Sequence, residues 1–445
     1  MTYSPHTDAD RRRMLDAIGV ETVDDLFADI PSSVRASAWE LPAPMAEQEV
    51  RRELVRLAER NRIPEVSFLG AGAYRHLVPA VVGEVIGRPE FATAYTPYQP
   101  EVSQGTLQSI YEFQSLICEL TGMEVATASH YDGATATAEA ALMACRLTRR
   151  DRVAVSAAVN PDYRRVLETY CSGPGIEVIT LPVDLADGGD GTTDPGAIGG
   201  LEGVACVIAA QPNFFGQLEP MSDLADAAHD AGAQLVAVVE PMSLAVLEAP
   251  GAYGADIVTA EGQPLGIPVN FGGPYVGLMA ARMASVRQMP GRLVGATRDG
   301  SGRKGYVLTL QAREQHIRRE KAASNICTNQ ALMALAATAY LASVGPEGLK
   351  EVAELSVFQA RHLVGELERR GLGDRRFSGV YLNEVAVRVP DAARRHAVLA
   401  EQRIVAGLPL ADVDANLADT LLLATTELTT DDDIARLLAG LEATT

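Results

Sequence analysis

Short apolar runs alternate with amphipathic segments along most of this chain from residue 63 onward. Apolar runs of strand length, separated by segments with helical periodicity, are typical of a parallel sheet covered by helices on both faces. The helices between consecutive strands then serve as right-handed crossovers. We predict strands at 152–159, 177–183, 204–211, 235–240, 256–260 and 275–280, and crossover helices at 161–171 and 221–231.

The two ends of the chain have a different pattern. Helical spacing of apolar residues at 8–18, 22–27 and 46–61 predicts a helical arm at the amino terminus. A long alanine-rich helix is predicted at 328–344, and an amphipathic helix at 430–443. The pattern therefore predicts an α/β protein in three parts. These parts are a helical arm at 1–62, a large α/β domain with a mainly parallel sheet at 63–327, and a small C-terminal α/β domain at 328–445.

Charge and composition exclude several classes of partner. The formal net charge is −20 and the sequence pI is about 4.8, whereas a nucleic-acid surface or an anionic membrane requires clustered cations. The amino terminus has no signal-like apolar segment, and no run reaches the roughly 18 apolar residues of a membrane span. We therefore expect a cytoplasmic protein that binds neither nucleic acid nor a membrane.

The cysteines point to neither a disulfide framework nor a metal site. They are odd in number, widely scattered and free of any C-x-x-C spacing. We expect them to be buried small hydrophobic residues and expect no bound metal. The five are Cys118, Cys145, Cys171, Cys206 and Cys327.

Lysine is almost absent from the chain. Only Lys304, Lys321 and Lys350 occur, and residues 1–303 contain none. Codon bias can replace surface lysines by arginine, but it does not remove a lysine that catalysis requires. Since all three lysines follow the predicted strands, the strands themselves carry no amine that could form an imine.

A polar loop at 94–105 is stiffened by Pro97 and Pro100 and leads into a predicted helix. Its side chains Tyr95, Tyr98 and Glu101 suit contacts to a polar ligand or to the active site of a partner. A structural loop whose tyrosines pack against the next part of the protein explains the same residues. The pattern leaves both interpretations open.

Residues 128–136 precede another predicted helix, at 138–146. Small residues at a helix amino terminus leave amide donors free at the positive end of the helix dipole, where phosphates commonly bind. Capping of the helix by Asp132 or Thr135 explains the same residues equally well. His130 in this loop suits either a core histidine or a group that stacks on a ligand ring.

Acidic and amide side chains follow two of the predicted strands. Glu240 ends the strand at 235–240, and Glu261 and Gln263 follow the strand at 256–260. A glutamine cannot form an imine in any protonation state. The glycine-rich segment 271–275 permits a close backbone approach, and we expect it to help pack a subunit contact.

Residues 311–330 combine a charged run with a polar turn. The run to residue 321 is predicted to be a solvated helix with ion pairs. In the turn, Ser324, Asn325 and Thr328 can donate hydroxyl and amide groups to a phosphate. Lys321 lies in the charged run and lacks the desolvated setting that would lower the pKa of a Schiff-base lysine.

Five stretches of the chain form a distinctive set. They are Tyr-Thr-Pro-Tyr-Gln-Pro-Glu at 95–101, Glu-Gly-Gln-Pro-Leu-Gly at 261–266, Phe-Gly-Gly-Pro-Tyr at 271–275, Arg-Glu-Gln-His-Ile-Arg-Arg-Glu-Lys at 313–321 and Ser-Asn-Ile-Cys-Thr at 324–328. Together they resemble the glycine decarboxylase P-protein family, and specifically the first, or alpha, subunit of its two-gene form. The resemblance covers essentially the whole chain.

The resemblance implies a fold and a cofactor. The fold is that of the pyridoxal-phosphate-dependent transferases, the aspartate aminotransferase-like fold type I. Its members carry an aspartate at the end of one strand and a cofactor-binding lysine after a neighbouring strand. Glu240 and Gln263 stand near these places and would mark a vestigial cofactor pocket. The resemblance implies that pyridoxal phosphate is held covalently by the beta subunit and not by this chain.

The resemblance also implies an activity and partners. With its beta partner the chain would act as glycine dehydrogenase (aminomethyl-transferring), which decarboxylates glycine and passes the aminomethyl group to the lipoyl arm of the H-protein. This chain's expected catalytic contribution across the interface is Tyr95, Tyr98 and Glu101. Its expected contribution to the phosphate edge of the partner's cofactor is Ser324, Asn325 and Thr328.

Two other functions remain open on the sequence. The chain could be a non-catalytic scaffold that only stabilises the beta subunit. It could also be a self-sufficient pyridoxal-phosphate transferase that uses Lys321 as its Schiff-base residue.

Overall fold

The computed structural model describes residues 4–36, 41–186, 188–270 and 272–444. Phe271, which belongs to one of the five motifs, lies outside the described residues. The chain forms two compact units, Met1–Arg62 and Ile63–Thr445. The finer boundary between 327 and 328 stays a prediction.

The first unit is helical. It contains the helices α1 (Asp8–Ile18) and α2 (Glu47–Ala58) and the short 3₁₀ turns Val23–Phe27 and Ser32–Val34. The side chain of Thr7 caps α1 by accepting the Asp10 amide at 3.2 Å, as is usual for a threonine at this position. None of the described helical residues of this unit is buried, so its apolar side chains form no core of their own.

The remaining helices and strands belong to the second unit. Its helices are α3 (Ala80–Ile86), α4 (Pro89–Ala92), α5 (Gln104–Thr121), α6 (Gly133–Thr148), α7 (Pro161–Ser172), α8 (Met221–Asp230), α9 (Gln315–Arg318), α10 (Ala331–Arg370), α11 (Ala392–Glu401) and α12 (Asp431–Ala443). Its strands are β1 (Val66–Ser67), β2 (Val125–Ala126), β3 (Arg152–Ser156), β4 (Glu177–Leu181), β5 (Val204–Gln211), β6 (Gln234–Val239), β7 (Ile257–Glu261), β8 (Gly277–Ala281), β9 (Leu293–Arg298), β10 (Lys304–Thr309), β11 (Asp374–Arg375), β12 (Glu384–Arg388), β13 (Ile404–Val405), β14 (Leu408–Pro409) and β15 (Thr420–Ala424).

Within the described residues, the large sheet has seven strands in the order β2-β8-β7-β6-β5-β3-β4. The five strands from β3 to β7 are parallel, and β2 and β8 are antiparallel to their neighbours. The predicted strand at 204–211 coincides with β5. The strand predicted at 152–159 ends early, because the amide of Val159 turns back to the Ser156 carbonyl at 3.0 Å. The prediction of a mainly parallel α/β sheet is confirmed.

Both faces of this sheet are packed. In β5, Val207 and Ala209 belong to the core on one face, and Cys206 and Ile208 belong to the core on the other. A strand buried on both sides reads as a continuous apolar run, which is why these strands were recognisable in the sequence. The two cores hold the carboxyl ends of β5, β6 and β7 side by side.

The long helix α10 extends beyond its prediction. The predicted helix stops at 344, and the backbone does break at Gly345, whose φ is +61°, but helix resumes as far as Arg370. Pro346 starts the second part, a position where its missing amide hydrogen costs nothing. By length and composition α10 could cross a membrane, yet Ala336 and Tyr340 lie in the core of the large sheet. We therefore interpret it as a core helix.

The charged run at 311–321 is not the helix that we predicted. It consists of the 3₁₀ turns Gln311–Arg313 and Arg319–Lys321 on either side of the four-residue helix α9. Leu310 and Arg319 both have φ of +55°, a left-handed conformation that interrupts a helix. An antiparallel hairpin of β9 and β10 precedes this run and was not predicted.

The C-terminal part contains a second sheet. In the described chain it has four strands in the order β11-β12-β15-β14, with α11 and α12 in the same region. The helix predicted at 430–443 is α12, for which Thr430 is the capping residue. The predicted small α/β architecture of this part is confirmed.

Candidate functional site

A pocket opens at the carboxyl ends of β5, β6 and β7. Ligands of open parallel sheets commonly bind at this edge. We call it the strand-end pocket and define it by its lining residues: Gly72, Tyr74, Asn160, Tyr163, Ala210, Pro212, Asn213, Phe214, Val238, Val239, Glu240, Pro241, Glu261, Pro264 and Glu384. Of the two residues expected to mark a vestigial cofactor pocket, Glu240 lines it and Gln263 does not. Glu261 from the end of β7 also lines it, as does Glu384 from β12, which sequence reasoning missed.

Glu240 ends β6 and caps the turn that follows it. Its carboxylate accepts the amide of Met242 at 3.1 Å and the amide of Ser243 at 2.7 Å. Burial raises the pKa of Glu240, while the nearby His76 and the two amides oppose that rise. The carboxylate therefore serves first to organise its own turn.

Gln263 does not line the pocket, although it stands near the predicted lysine position. Its side-chain amide donates to the carbonyls of Tyr74 at 2.9 Å and Ile267 at 2.7 Å. Its oxygen accepts the Tyr74 amide at 2.8 Å. Gln263 therefore fastens the segment around Tyr74 to the sheet, a role that needs the geometry of an amide.

The start of α6, for which the sequence left both a phosphate site and a helix cap open, is occupied by side chains of the chain itself. Glu261 accepts the Gly133 amide at the start of α6 at 3.0 Å. Asp132 accepts the Thr135 amide at 2.7 Å, so the capping interpretation of these residues is the one that the structure supports. Burial raises the pKa of Glu261 to about 7.

The lysines lie away from the strand-end pocket. Lys304 on β10 lies over the rings of Tyr111 and Tyr306, at 5.7 and 5.1 Å. Its hydrogen bond to Tyr306 raises the pKa of the ammonium group, the opposite of what an imine-forming lysine needs. Lys321 is exposed on its turn, and Lys350 is 3.7 Å from Glu354.

These observations test whether pyridoxal phosphate would fit this chain's own pocket. Among the described lining residues there is neither lysine nor arginine, and the amide of Gly133 is bonded to a carboxylate. A phosphate would meet carboxylates without a compensating cation. The residues of the strand-end pocket therefore do not fit the cofactor.

His130 is a core residue and not a lining residue of the pocket. Its side chain is 0% exposed, and both ring nitrogens lack a hydrogen-bond partner within the described part of the chain. Burial lowers the pKa of His130 to about 4, so the ring is neutral at physiological pH. Of the two interpretations left open by the sequence, the structure supports the core histidine.

The predicted loop residues lie on the surface. Tyr95 is 80% exposed and Tyr98 is 63% exposed. The guanidinium of Arg292 lies 5.8 Å from the Tyr98 ring centre and donates weakly to Thr96 at 3.4 Å. Glu101 is exposed in the 3₁₀ turn Pro100–Val102. The tyrosine rings are thus mostly free of internal packing.

The second predicted group is anchored by a residue that the sequence did not single out. The hydroxyl of Ser324 donates to Glu139 at 2.7 Å and accepts the amide of Ile326 at 3.1 Å. Glu139 is only 1% exposed, and burial raises its pKa. Asn325 is exposed and Thr328 is half-buried.

Both predicted groups are tied to one stretch of backbone. The Ala128 amide donates to the Arg292 carbonyl at 2.9 Å, and Arg292 lies under Tyr98. The side chain of Asn329, next to Thr328, donates to the Ala128 carbonyl at 3.1 Å. We call the surface of residues 94–102 and 324–328 the loop face. None of the six predicted site residues is among the described residues that line the strand-end pocket.

Comparison with known sequences places the chain in a family. The family model of the glycine cleavage system P-protein matches residues 1–441. The chain belongs to the P-protein family. A relative from Moorella thermoacetica, named "Probable glycine dehydrogenase (decarboxylating) subunit 1", is 53% identical over 99% of both chains. A relative of the same name from Thermomicrobium roseum is 49% identical over 100% of both. The predicted resemblance, including subunit 1 of the two-gene form, is confirmed.

Solved structures agree with this assignment. The crystal structure of glycine decarboxylase (P-protein) of the glycine cleavage system, in inhibitor-bound form, matches this P-protein chain with a TM-score of 0.91. The identity is 45%, and the match covers 100% of both chains. A sphingosine-1-phosphate lyase from Burkholderia pseudomallei, at 16% identity and a TM-score of 0.67 over 93% of both chains, shares the fold alone. The predicted pyridoxal-phosphate-dependent transferase fold type I is confirmed.

Proposed function

We propose that this chain is the alpha subunit of glycine decarboxylase in the glycine cleavage system. It assembles with a lysine-bearing beta subunit that holds pyridoxal phosphate covalently. The complex decarboxylates glycine and passes the aminomethyl group to the lipoyl arm of the H-protein in the cytoplasm. The pyridoxal ring supplies the electron sink for the carbanion that decarboxylation leaves.

The observation that carries this proposal is the strand-end pocket. Its place in the fold is that of a cofactor pocket, yet its described lining consists of carboxylates, tyrosines and apolar groups without a cation. The lysine-poor sequence and the bonds of Gln263 to Tyr74 support the same view, because no amine reaches the strand ends. A chain of this family with such a pocket requires the amine of a partner.

We assign this chain's contribution to the loop face. Tyr95 and Glu101 are exposed and can meet the partner's site without any rearrangement of the core. Tyr98 offers its hydroxyl while its ring lies over Arg292. Donors fixed in place before the reaction stabilise developing charge without the cost of reorganising solvent. Asn325 and Thr328 would face the phosphate edge of the partner's cofactor.

The hydrogen bond from Ser324 to Glu139 is also consistent with the scaffold alternative. Its single hydroxyl hydrogen points to Glu139, so in this arrangement the side chain has no hydrogen left to donate to a phosphate. A purely structural role of the 324–328 turn explains this bond equally well. The scaffold hypothesis therefore remains the second candidate, and the loop-face variants described below separate the two.

The self-sufficient alternative has no support in the geometry. Lys321 is exposed on a short turn and is absent from the pocket lining. A Schiff-base lysine needs a desolvated environment that favours the neutral amine.

An absorbance titration of pyridoxal phosphate tests the proposal. We expect no imine band with this chain alone, and glycine-dependent release of carbon dioxide only after addition of both the beta subunit and the H-protein. A band from this chain alone, fixed by borohydride onto Lys304 or Lys321, would contradict the proposal. A Lys321→Ala variant, which should retain full turnover in the complex, is the control.

A further inference from the structure

We propose that Glu261 closes the strand-end pocket of this chain to phosphate-bearing ligands by acting as an internal anion at the start of α6. The proposal explains which chain of the complex can take a phosphorylated cofactor. It does not depend on the contribution assigned to the loop face.

The helix α6 begins at the edge of the strand-end pocket. It spans 16 residues, so the amides of its first turn carry the partial positive charge of a substantial helix dipole. Such a terminus attracts a phosphate when its amides are free. Whether α6 can bind a phosphate therefore depends on whether these amides already have hydrogen-bond partners.

The Glu261 carboxylate has taken the place of an external anion. One oxygen accepts the Gly133 amide at 3.0 Å. The other accepts the amides of Gln263 at 3.0 Å and Val276 at 3.1 Å. Three backbone donors from separate segments therefore converge on a single side chain, as they would converge on a bound anion.

Gly133 brings the helix terminus directly against the end of β7. A Cβ atom at this position would lie 2.2 Å from the Tyr163 hydroxyl and 2.7 Å from the Glu261 backbone nitrogen. The helix start and the strand end are therefore in close contact, which places the Glu261 carboxylate within hydrogen-bonding distance of the Gly133 amide.

Neighbouring charges reinforce the closure. Asp132 occupies another donor of the first turn, the amide of Thr135, at 2.7 Å. Glu240 and Glu384 face the same pocket. A phosphate there would meet the three carboxyl groups of Glu240, Glu261 and Glu384, and those that are ionised would repel it strongly in a buried setting.

A phosphate titration of the full chain tests the proposal. Inorganic phosphate and pyridoxine 5′-phosphate, which has no aldehyde and cannot form an imine, are titrated into the wild type and into Glu261→Ala, with binding measured by calorimetry. We expect Glu261→Ala to bind both at least about tenfold more tightly, because the amides of α6 regain an anion. A crystal structure of the variant soaked in phosphate should place the phosphate at the Gly133 amide.

Two results would overturn the proposal. One is equal phosphate affinity in the wild type and the variant, and the other is a folded variant that binds neither ligand. If Glu261→Ala does not fold, Glu261→Ser carries the same expectation, because its hydroxyl can accept an amide while its short side chain leaves space.

Glu219→Ala is the matched control. Glu219 is also buried and accepts the Thr193 amide at 2.8 Å and the Asn213 side chain at 2.8 Å, but it does not line the strand-end pocket. Glu219→Ala should leave the phosphate affinity unchanged. If this variant also bound phosphate more tightly, the increase would come from a general loosening of the fold, and the proposal would be refuted. Since the beta subunit and turnover play no part in these measurements, failure here is distinguishable from failure of the proposed function.

Discussion

The strand-end pocket and the loop face use their polar groups in opposite ways. In the pocket, the side chains of Glu240 and Glu261 both accept amides of the same chain. On the loop face, Tyr95 is 80% exposed and Glu101 is exposed as well. The part that resembles an active site is therefore held together by its own hydrogen bonds, whereas the residues that we propose for the partner's site are exposed.

The largest effect should follow from disturbing the pocket's backbone. A Cβ atom at Gly277 would lie 2.3 Å from the backbone oxygen of Asp132, so Gly277→Ala forces the helix start away from β8. We expect a loss of about 3 kcal/mol in the free energy of unfolding, measured by urea denaturation. Gly200→Ala, with no atom within 4 Å of the added Cβ, should change it by less than about 0.5 kcal/mol. Similar values for the two variants would contradict the packing that we describe.

Gln263 provides the next test of the pocket as an internal structure. Gln263→Ala leaves the Tyr74 amide, the Tyr74 carbonyl and the Ile267 carbonyl without their partner in a buried region. We expect a cost of about 1–3 kcal/mol in thermal or chemical unfolding. The exposed Gln108, which bonds only to Glu112, supplies the control variant Gln108→Ala with a cost below about 0.5 kcal/mol. If Gln263→Ala leaves the free energy of unfolding unchanged, Gln263 does not hold the segment around Tyr74 to the sheet.

The buried carboxyls of the pocket predict an unusual pH dependence. Burial raises the pKa of Glu384 from 4.5 to about 7, and the nearby Glu240 raises it by less. The Ala71 amide and the Tyr74 hydroxyl donate hydrogen bonds to the Glu384 carboxyl and oppose this rise. Since the folded pKa exceeds the unfolded one, the contribution of Glu384 to stability is greatest below pH 4.5 and is lost as the pH rises through about 7.

Glu384→Gln removes this titration. Between pH 5 and pH 8 its free energy of unfolding should therefore rise relative to the wild type, by about 2 kcal/mol. Glu366→Gln is the control, because the pKa of Glu366, about 2 in the fold and 4.5 otherwise, lies below that window in both states. Parallel pH profiles of the wild type and Glu384→Gln would show that Glu384 titrates normally.

The smallest expected effect concerns the loop face. Substitutions there should leave the free energy of unfolding unchanged and should lower only turnover. In the complex with beta subunit and H-protein, Tyr95→Phe should lower turnover about tenfold through loss of one positioned donor, a change of roughly 1.4 kcal/mol. Tyr381→Phe, in the core of the C-terminal sheet, is the control and should leave turnover unchanged. Full turnover in both Tyr95→Phe and Glu101→Gln, with the complex still assembled, would favour the scaffold hypothesis.

Secondary structure could be predicted where an element is buried, because burial requires apolar residues in a regular pattern. The strand β5 was located because both its faces are buried and its residues are apolar throughout. The hairpin of β9 and β10 was missed, since much of its surface is exposed and its residues show no continuous apolar run. The false helix at 311–321 had suitable helix-forming residues, but positive φ at Leu310 and Arg319 interrupts it, and helix propensity does not encode that backbone conformation.

The sequence by itself determined the family, the α/β fold and the absence of a lysine at the strand ends, because motifs, apolar periodicity and residue identity are all local properties of the chain. Only the tertiary structure decided that Gln263 turns toward Tyr74, that Glu384 joins the pocket from β12, and that Glu261 reaches the start of α6. The physical reason is that a carboxylate or amide binds whichever donors the fold brings within about 3 Å. Those donors come from residues up to 313 positions away along the chain, and no local pattern encodes them.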